Sequence, residues 1–169
     1  MKLSELMQNH TPNADFEGVV TNNDWVLAVD ITGAADTAIE DYEVAQMGVA
    51  GLDAQMNPIL VDKQYVRAGQ SSTKMGTQRT FKVTGDRYLR DAFQDFCFGH
   101  DIKFGTGSGV VVPYVYFCIL NGKGEKGKAT IIVNSDGGGA VGETSAVDID
   151  LKKFGSSPEE FTYTPPTQG

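Results

Sequence analysis

The chain has 169 residues, with 14 Lys+Arg against 22 Asp+Glu and a formal net charge of −8. That length fits one domain able to bury a real core, and 40% apolar residues is ordinary for a globular chain. The acidic balance excludes tight wrapping of duplex nucleic acid, which needs clustered cations to displace counterions, and no apolar run approaches the ~18–20 residues of a membrane-spanning helix.

Met1–Met7 is too polar and too short for the apolar centre of a secretory leader, which sets the expectation of a chain made in the cytoplasm. A short helix around Leu3–Gln8 is possible, and Thr11-Pro12-Asn13 breaks it. Asn22-Asn23-Asp24 marks a turn into a strand, in which Trp25, Leu27, Val29 and Ile31 share one face. Tyr42–Gln55 reads as one long strand rather than a helix, because Gly48 and Gly51 would weaken a helix interior by about 1 kcal/mol each. Residues 56–75 show no clear period, and Pro58, Gly69, Ser71 and Ser72 mark them as a long extended loop. The loop nevertheless carries Ile59, Leu60, Val61, Tyr65 and Val66. Apolar groups on so long a loop imply that it docks on something.

Gly76–Thr84 reads as a strand with Phe81 and Val83 on one face. One helix is expected over 86–98, capped by Asp86 and closed by Gly99. Leu89, Phe93, Phe96 and Cys97 form its apolar side, and Arg90, Asp91, Gln94 and Asp95 its wet side. Gly105–Gly109 is a flexible connection. Val110–Leu120 is apolar on both faces and predicts a strand covered on both sides, with Pro113 placing an edge or bulge at its start. Asn121-Gly122 opens a turn, and Lys128–Asn134 is a β-branched strand. Asp136-Gly137-Gly138-Gly139 is a further turn. Val147, Ile149 and Leu151 then alternate with Asp148, Asp150 and Lys152. Phe161–Thr164 forms a last strand, stopped by Pro165-Pro166, and residues 165–169 are expected to be a disordered tail. The sum is a single domain over 1–164. It is mainly β, a β-sandwich or barrel of about seven strands with one flanking helix.

Motifs with chemical potential are weak. Gly122-Lys123-Gly124-Glu125-Lys126-Gly127-Lys128 fits both GxGxxG and GxxxxGK. A phosphate cradle needs a helix immediately after its glycines, and Thr130-Ile131-Ile132-Val133 is a strand, so the string reads as a lysine-rich hairpin loop. Asn134-Ser135-Asp136-Gly137 opens like a calcium loop but lacks the downstream glutamate and flanking helices. Asp91, Asp95 and Asp101 read as solvated carboxylates. Cys97 and Cys118 sit in apolar runs and read as buried thiols. With no CxxC pair and only His10 and His100, zinc is poorly supported. No catalytic constellation, cofactor site or metal site emerges.

Three stretches, taken in order, carry a resemblance. Thr77–Tyr88 leads to Asp95-Phe96, and Tyr114-Val115-Tyr116-Phe117 leads through the lysine-rich string to Ile132–Gly137. Pro158–Tyr163 closes the set. Together they resemble the tail tube (major tail) proteins of long-tailed bacteriophages and prophages of Gram-positive bacteria. The resemblance implies the tail tube fold: a β-sandwich with a flanking helix, assembled as hexameric rings stacked into a tube. It also implies a tape measure protein within the tube, tail terminator and distal tail proteins at its ends, and DNA passing without specific binding. It places the chain in the virion and makes it a structural protein rather than an enzyme. The loop over 56–75 then reaches a neighbouring subunit or ring, with Ile59, Leu60, Val61, Tyr65, Val66 and Arg67 as contacts. Asp148 and Asp150 are the candidates for an acidic bore that repels DNA.

Two other readings compete. The inner tube of a contractile tail or of a phage-tail-like bacteriocin would have the same fold and an added sheath. A monomeric β-sandwich module for carbohydrate would need exposed aromatic rings, and the chain holds a single tryptophan, Trp25.

Overall fold

The structure is a computed structural model that describes residues 1–166. It holds ten strands and three short α-helices. In chain order these are α1 (Leu3–Met7), β1 (Trp25–Val29), β2 (Glu43–Val44), β3 (Val49–Gln55), β4 (Pro58–Tyr65), β5 (Gly69–Thr77) and β6 (Thr80–Asp86). There follow α2 (Ala92–Cys97), α3 (His100–Lys103), β7 (Val111–Cys118), β8 (Lys123–Ser135), β9 (Ala146–Lys153) and β10 (Glu159–Thr162). The body is one antiparallel sheet in the order β2-β1-β7-β8-β9-β6-β3, with β10 also on β8, while β4 and β5 form a separate pair.

Strand β8, 13 residues long, is the spine. One edge pairs β7 along Gly124–Thr130. The other edge is divided between β10, along Lys123–Lys126, and β9, along Ala129–Ser135. The division gives the body two apolar layers. Leu27, Val29, Tyr114 and Tyr116 point into one, with Phe81, Phe93, Ile149 and Leu151. Val26, Ala28, Val115 and Phe117 point into the other, with Leu3 and Met7 of α1 and Tyr163. β1 and β7 are therefore covered on both faces, as the apolar run of β7 predicts. Pro113 lies just past the end of β1, where its carbonyl accepts from Asp30 N at 2.9 Å and the missing N–H interrupts no ladder with β1.

Several expectations change. The single strand over Tyr42–Gln55 is broken into β2 and β3, because Gly48 turns the chain at φ 75° against the Asp86 carbonyl. Residues 56–75 are not a loop but most of the β4–β5 hairpin. The expected helix over 86–98 starts later, since Gly85 and Asp86 are still paired with Val147 and Ala146 in the ladder with β9. Arg90 takes φ 66°, a left-handed conformation that no helix continues through. Asp91, not Asp86, is the cap: it is buried, and its carboxylate accepts from Gln94 N at 3.0 Å. Gly99 opens α3 rather than closing α2, and Leu89 lies outside the helix in solvent.

The lysine-rich string is not a hairpin loop either; it is the first half of β8. Its glycines serve packing. A Cβ on Gly124 would stand 2.0 Å from the Tyr116 carbonyl oxygen and 2.5 Å from Phe117 Cα, so only glycine lets β8 lie this close to β7. Gly124→Ala should lower stability by about 1–3 kcal/mol through overpacking, measured by urea unfolding.

Candidate assembly interface

The β4–β5 arm is built locally. Eight register pairs run from Pro58↔Thr77 to Tyr65↔Gly69, with an irregularity at Met75. Val66–Ala68 closes the turn, with Arg67 at φ 64° and Gly69 at φ 78°. Every residue of β4 is exposed. Ile59 and Leu60 are each 53% exposed and Val66 is 88% exposed. All six predicted contact residues, from Ile59 to Arg67, thus stand on one projecting element. A two-stranded hairpin is marginal by itself in water, and this one shows apolar side chains that nothing in its own body covers. Met56 and Met75, also exposed, extend the apolar surface and were not singled out from the sequence.

Charge separates the arm from the body. Residues 58–77 hold Lys63, Arg67 and Lys74 against Asp62, a balance of +2, so the remainder of the −8 chain carries −10.

The root of the arm is fixed by Arg79. Its Nε donates to Glu125 Oε1 at 2.9 Å, and a terminal nitrogen donates to Met56 Sδ at 3.0 Å. Its guanidinium lies 4.7 Å from the Phe81 ring centre and 5.3 Å from that of Tyr116. Tyr114 Oη donates to the same Glu125 oxygen at 3.1 Å. Burial pushes the Tyr114 hydroxyl up, and Glu125 adds to the shift, so the phenol stays a donor. Gln78 N donates to Asn57 O at 3.1 Å and closes the neck of the hairpin.

Asp148 and Asp150 do share a strand face, but neither is a free carboxylate. Lys82 Nζ sits 2.9 Å from Asp148 Oδ2 and 3.7 Å from Asp150 Oδ1. Burial pushes the Asp148 carboxyl up, but hydrogen bonds from Lys82 and Asn134 and the lysine charge together outweigh it and hold it below its ordinary 3.8.

The carboxylates weighed as acid–base candidates do not converge on a cleft. Asp91 caps α2, and Asp95 pairs with Arg87 at 2.7 Å. Asp136, from the string that resembled a calcium loop, pairs with Lys103 at 2.9 Å. Cys97 and Cys118 are buried free thiols, and burial pushes Cys97 up to about 12, away from nucleophilic use. Trp25 is half-buried and stacked on Tyr116 at 5.0 Å, which removes the one tryptophan as a sugar platform. No helix among the described residues is long and apolar enough to cross a membrane.

A carboxylate held below its ordinary value favours the folded chain above that value. The contribution is lost as pH falls through the depressed one. Lys82→Ala should therefore raise the Asp148 pKa in an NMR titration and flatten the loss of stability below about pH 4.

No family model matches the chain, and no curated protein matches it by sequence. Solved structures do. A protein in the tail of an empty gene transfer agent particle, solved by helical refinement with C6 symmetry, is similar at a TM-score of 0.54 and 16% identity, over 86% of this chain and 100% of that one. A protein in the virion of a native gene transfer agent particle is similar at a TM-score of 0.51 and 14% identity, again over 86% and 100%. The likeness is one of fold. The mainly antiparallel β architecture that the sequence resemblance implied is the one this chain adopts, and these particle proteins share it.

Proposed function

We propose that this chain is a structural, non-enzymatic virion subunit that polymerises into stacked hexameric rings and forms the tail tube of a long-tailed phage or prophage, the conduit for DNA ejection. The observation that carries this reading is the arm. An eight-residue strand spans roughly 26 Å at about 3.3 Å per residue, against a radius of gyration of about 15 Å for a compact body of this length. A projection that long, apolar and oppositely charged to its body serves contact with another copy rather than with its own core. The sixfold symmetry of the similar gene transfer agent tail supports a ring of six. Rings that stack without closing need a contact of unlike surfaces, one face giving and the other receiving, and an arm on one side provides the giving half.

In this reading the contacts are made by Ile59, Leu60, Val61, Tyr65, Val66 and Arg67. A tape measure protein occupies the bore during assembly, and tail terminator and distal tail proteins close the ends. Asp148 and Asp150 face the bore. Their shared Lys82 leaves one net negative charge in that group, enough to discourage DNA from adhering without building a strongly repulsive wall.

The neck allows a clean test. Residues 58–77 can be removed by joining Asn57 to Gln78, which are already hydrogen-bonded. The shortened chain should keep a β-type circular dichroism spectrum and a melting temperature within a few degrees, because the arm adds nothing to the core. It should form neither rings nor tubes in negative-stain micrographs where the full chain does. Normal tubes from the armless chain would end this reading.

A further inference from the structure

A bare backbone edge of the body borders a groove. β3 pairs only with β6, so its outer edge is free. Across the groove β1 presents little free backbone: Trp25 N donates to Asn22 O, and Val26 is paired with Phe117 of β7. The groove between them has a volume of about 270 Å³, and its lining includes Leu6, Trp25, Val26, Ala50, Leu52 and Ile119. Asn22 Nδ2 reaches across one end to the Leu52 carbonyl at 3.1 Å. No lining residue is charged. The charged residues next to the lining in the chain are all acidic: Glu43 pairs with the amino terminus at 2.8 Å, while Glu5, Asp24 and Asp53 are in no ion pair among the described residues. The groove thus mixes apolar side chains with Asn22, Asn23 and Gln46, has acidic residues next to it in the chain, and is bordered on one side by the unpaired outer edge of β3.

We infer that this groove is the seat for the arm of a second copy of the chain. The inference rests on the assembly reading above and adds the receiving half of the contact. Along β4, Ile59, Val61, Lys63 and Tyr65 alternate onto one face, and Arg67 stands at the tip. That face offers apolar groups to the apolar side chains of the groove, and the +2 arm meets a remainder of the chain that carries −10. The free edges of the arm and of β3 can pair by strand addition, which satisfies backbone groups that no side chain reaches. The arm of the same molecule leaves β3 at Gln55 and pairs with no strand of its own body, so the occupant is another copy.

Cysteine cross-linking tests the seat directly, since the native thiols are buried and will not compete. Chains carrying Ala50→Cys are mixed with chains carrying Val61→Cys under mild oxidation. A control mixture pairs Ala50→Cys with Val141→Cys, a fully exposed position in the loop between β8 and β9, outside the groove lining. The first mixture should give a disulfide-linked dimer at least tenfold more abundant than the control. A second variant, Ala50→Trp, fills the groove from an exposed position; it should stay folded by circular dichroism and lose ring formation. Tubes that form with no excess cross-link, or normal assembly of Ala50→Trp while the armless chain fails to assemble, would overturn the groove and leave the role of the arm standing. A full-length chain that stays monomeric at every concentration would overturn both.

Discussion

Strand β8 offers one backbone edge to two partners, and the body is shaped by that division. A strand can hydrogen-bond to one neighbour per edge per residue. With β10 taking Lys123–Lys126 and β9 taking Ala129–Ser135, the sheet splits and bends instead of remaining flat. β7 and β1 are left between two apolar layers, with α1 and Tyr163 on one side and the helices and the β6–β9 sheet on the other. Almost every ladder is completed inside the chain. The longest bare edges among the described residues are the outer side of β3 and both sides of the arm.

Those bare elements belong to one continuous stretch, because the arm is inserted between β3 and β6, which pair with each other across its base. The neck is therefore held by a ladder of the body itself. Arg79, held by Glu125, Met56 and two rings, joins the arm root to β8 and to the core aromatics. A rigid root lowers the ordering entropy an arm must lose when it docks. Opposite net charges on arm and body then favour encounter between copies, while the acidic remainder keeps other approaches repulsive.

Parts of this were legible from residue types alone. The two-faced apolar run at Val110–Leu120 foretold a strand with cover on both sides, because a wet face cannot carry Val, Tyr, Phe and Ile in succession. The alternation of Val147, Ile149 and Leu151 with Asp148, Asp150 and Lys152 placed one face in the core. The apolar groups over 56–75 do stand exposed on an element of their own. What was misread follows a pattern. A Gly- and Lys-rich string looks like a loop, since glycine weakens an isolated strand, yet Gly124 is there because Tyr116 and Phe117 lie too close for any Cβ. Asp86 and Asp91 are both sound caps by type, and the choice fell to Asp91 because Asp86 was still held in the ladder of β6 with β9.

Side-chain periodicity and composition, by themselves, determined the β class, the buried faces, the inert thiols and the existence of an exposed apolar segment; each depends on a residue's own preference for water or for its immediate neighbours. Tertiary structure alone decided which strands share β8, where α2 begins, that the segment is a hairpin bearing all six predicted contact residues on one projection, and that the outer edge of β3 stays unpaired beside a groove. Those features depend on distances between residues far apart in the chain, and no local preference encodes them.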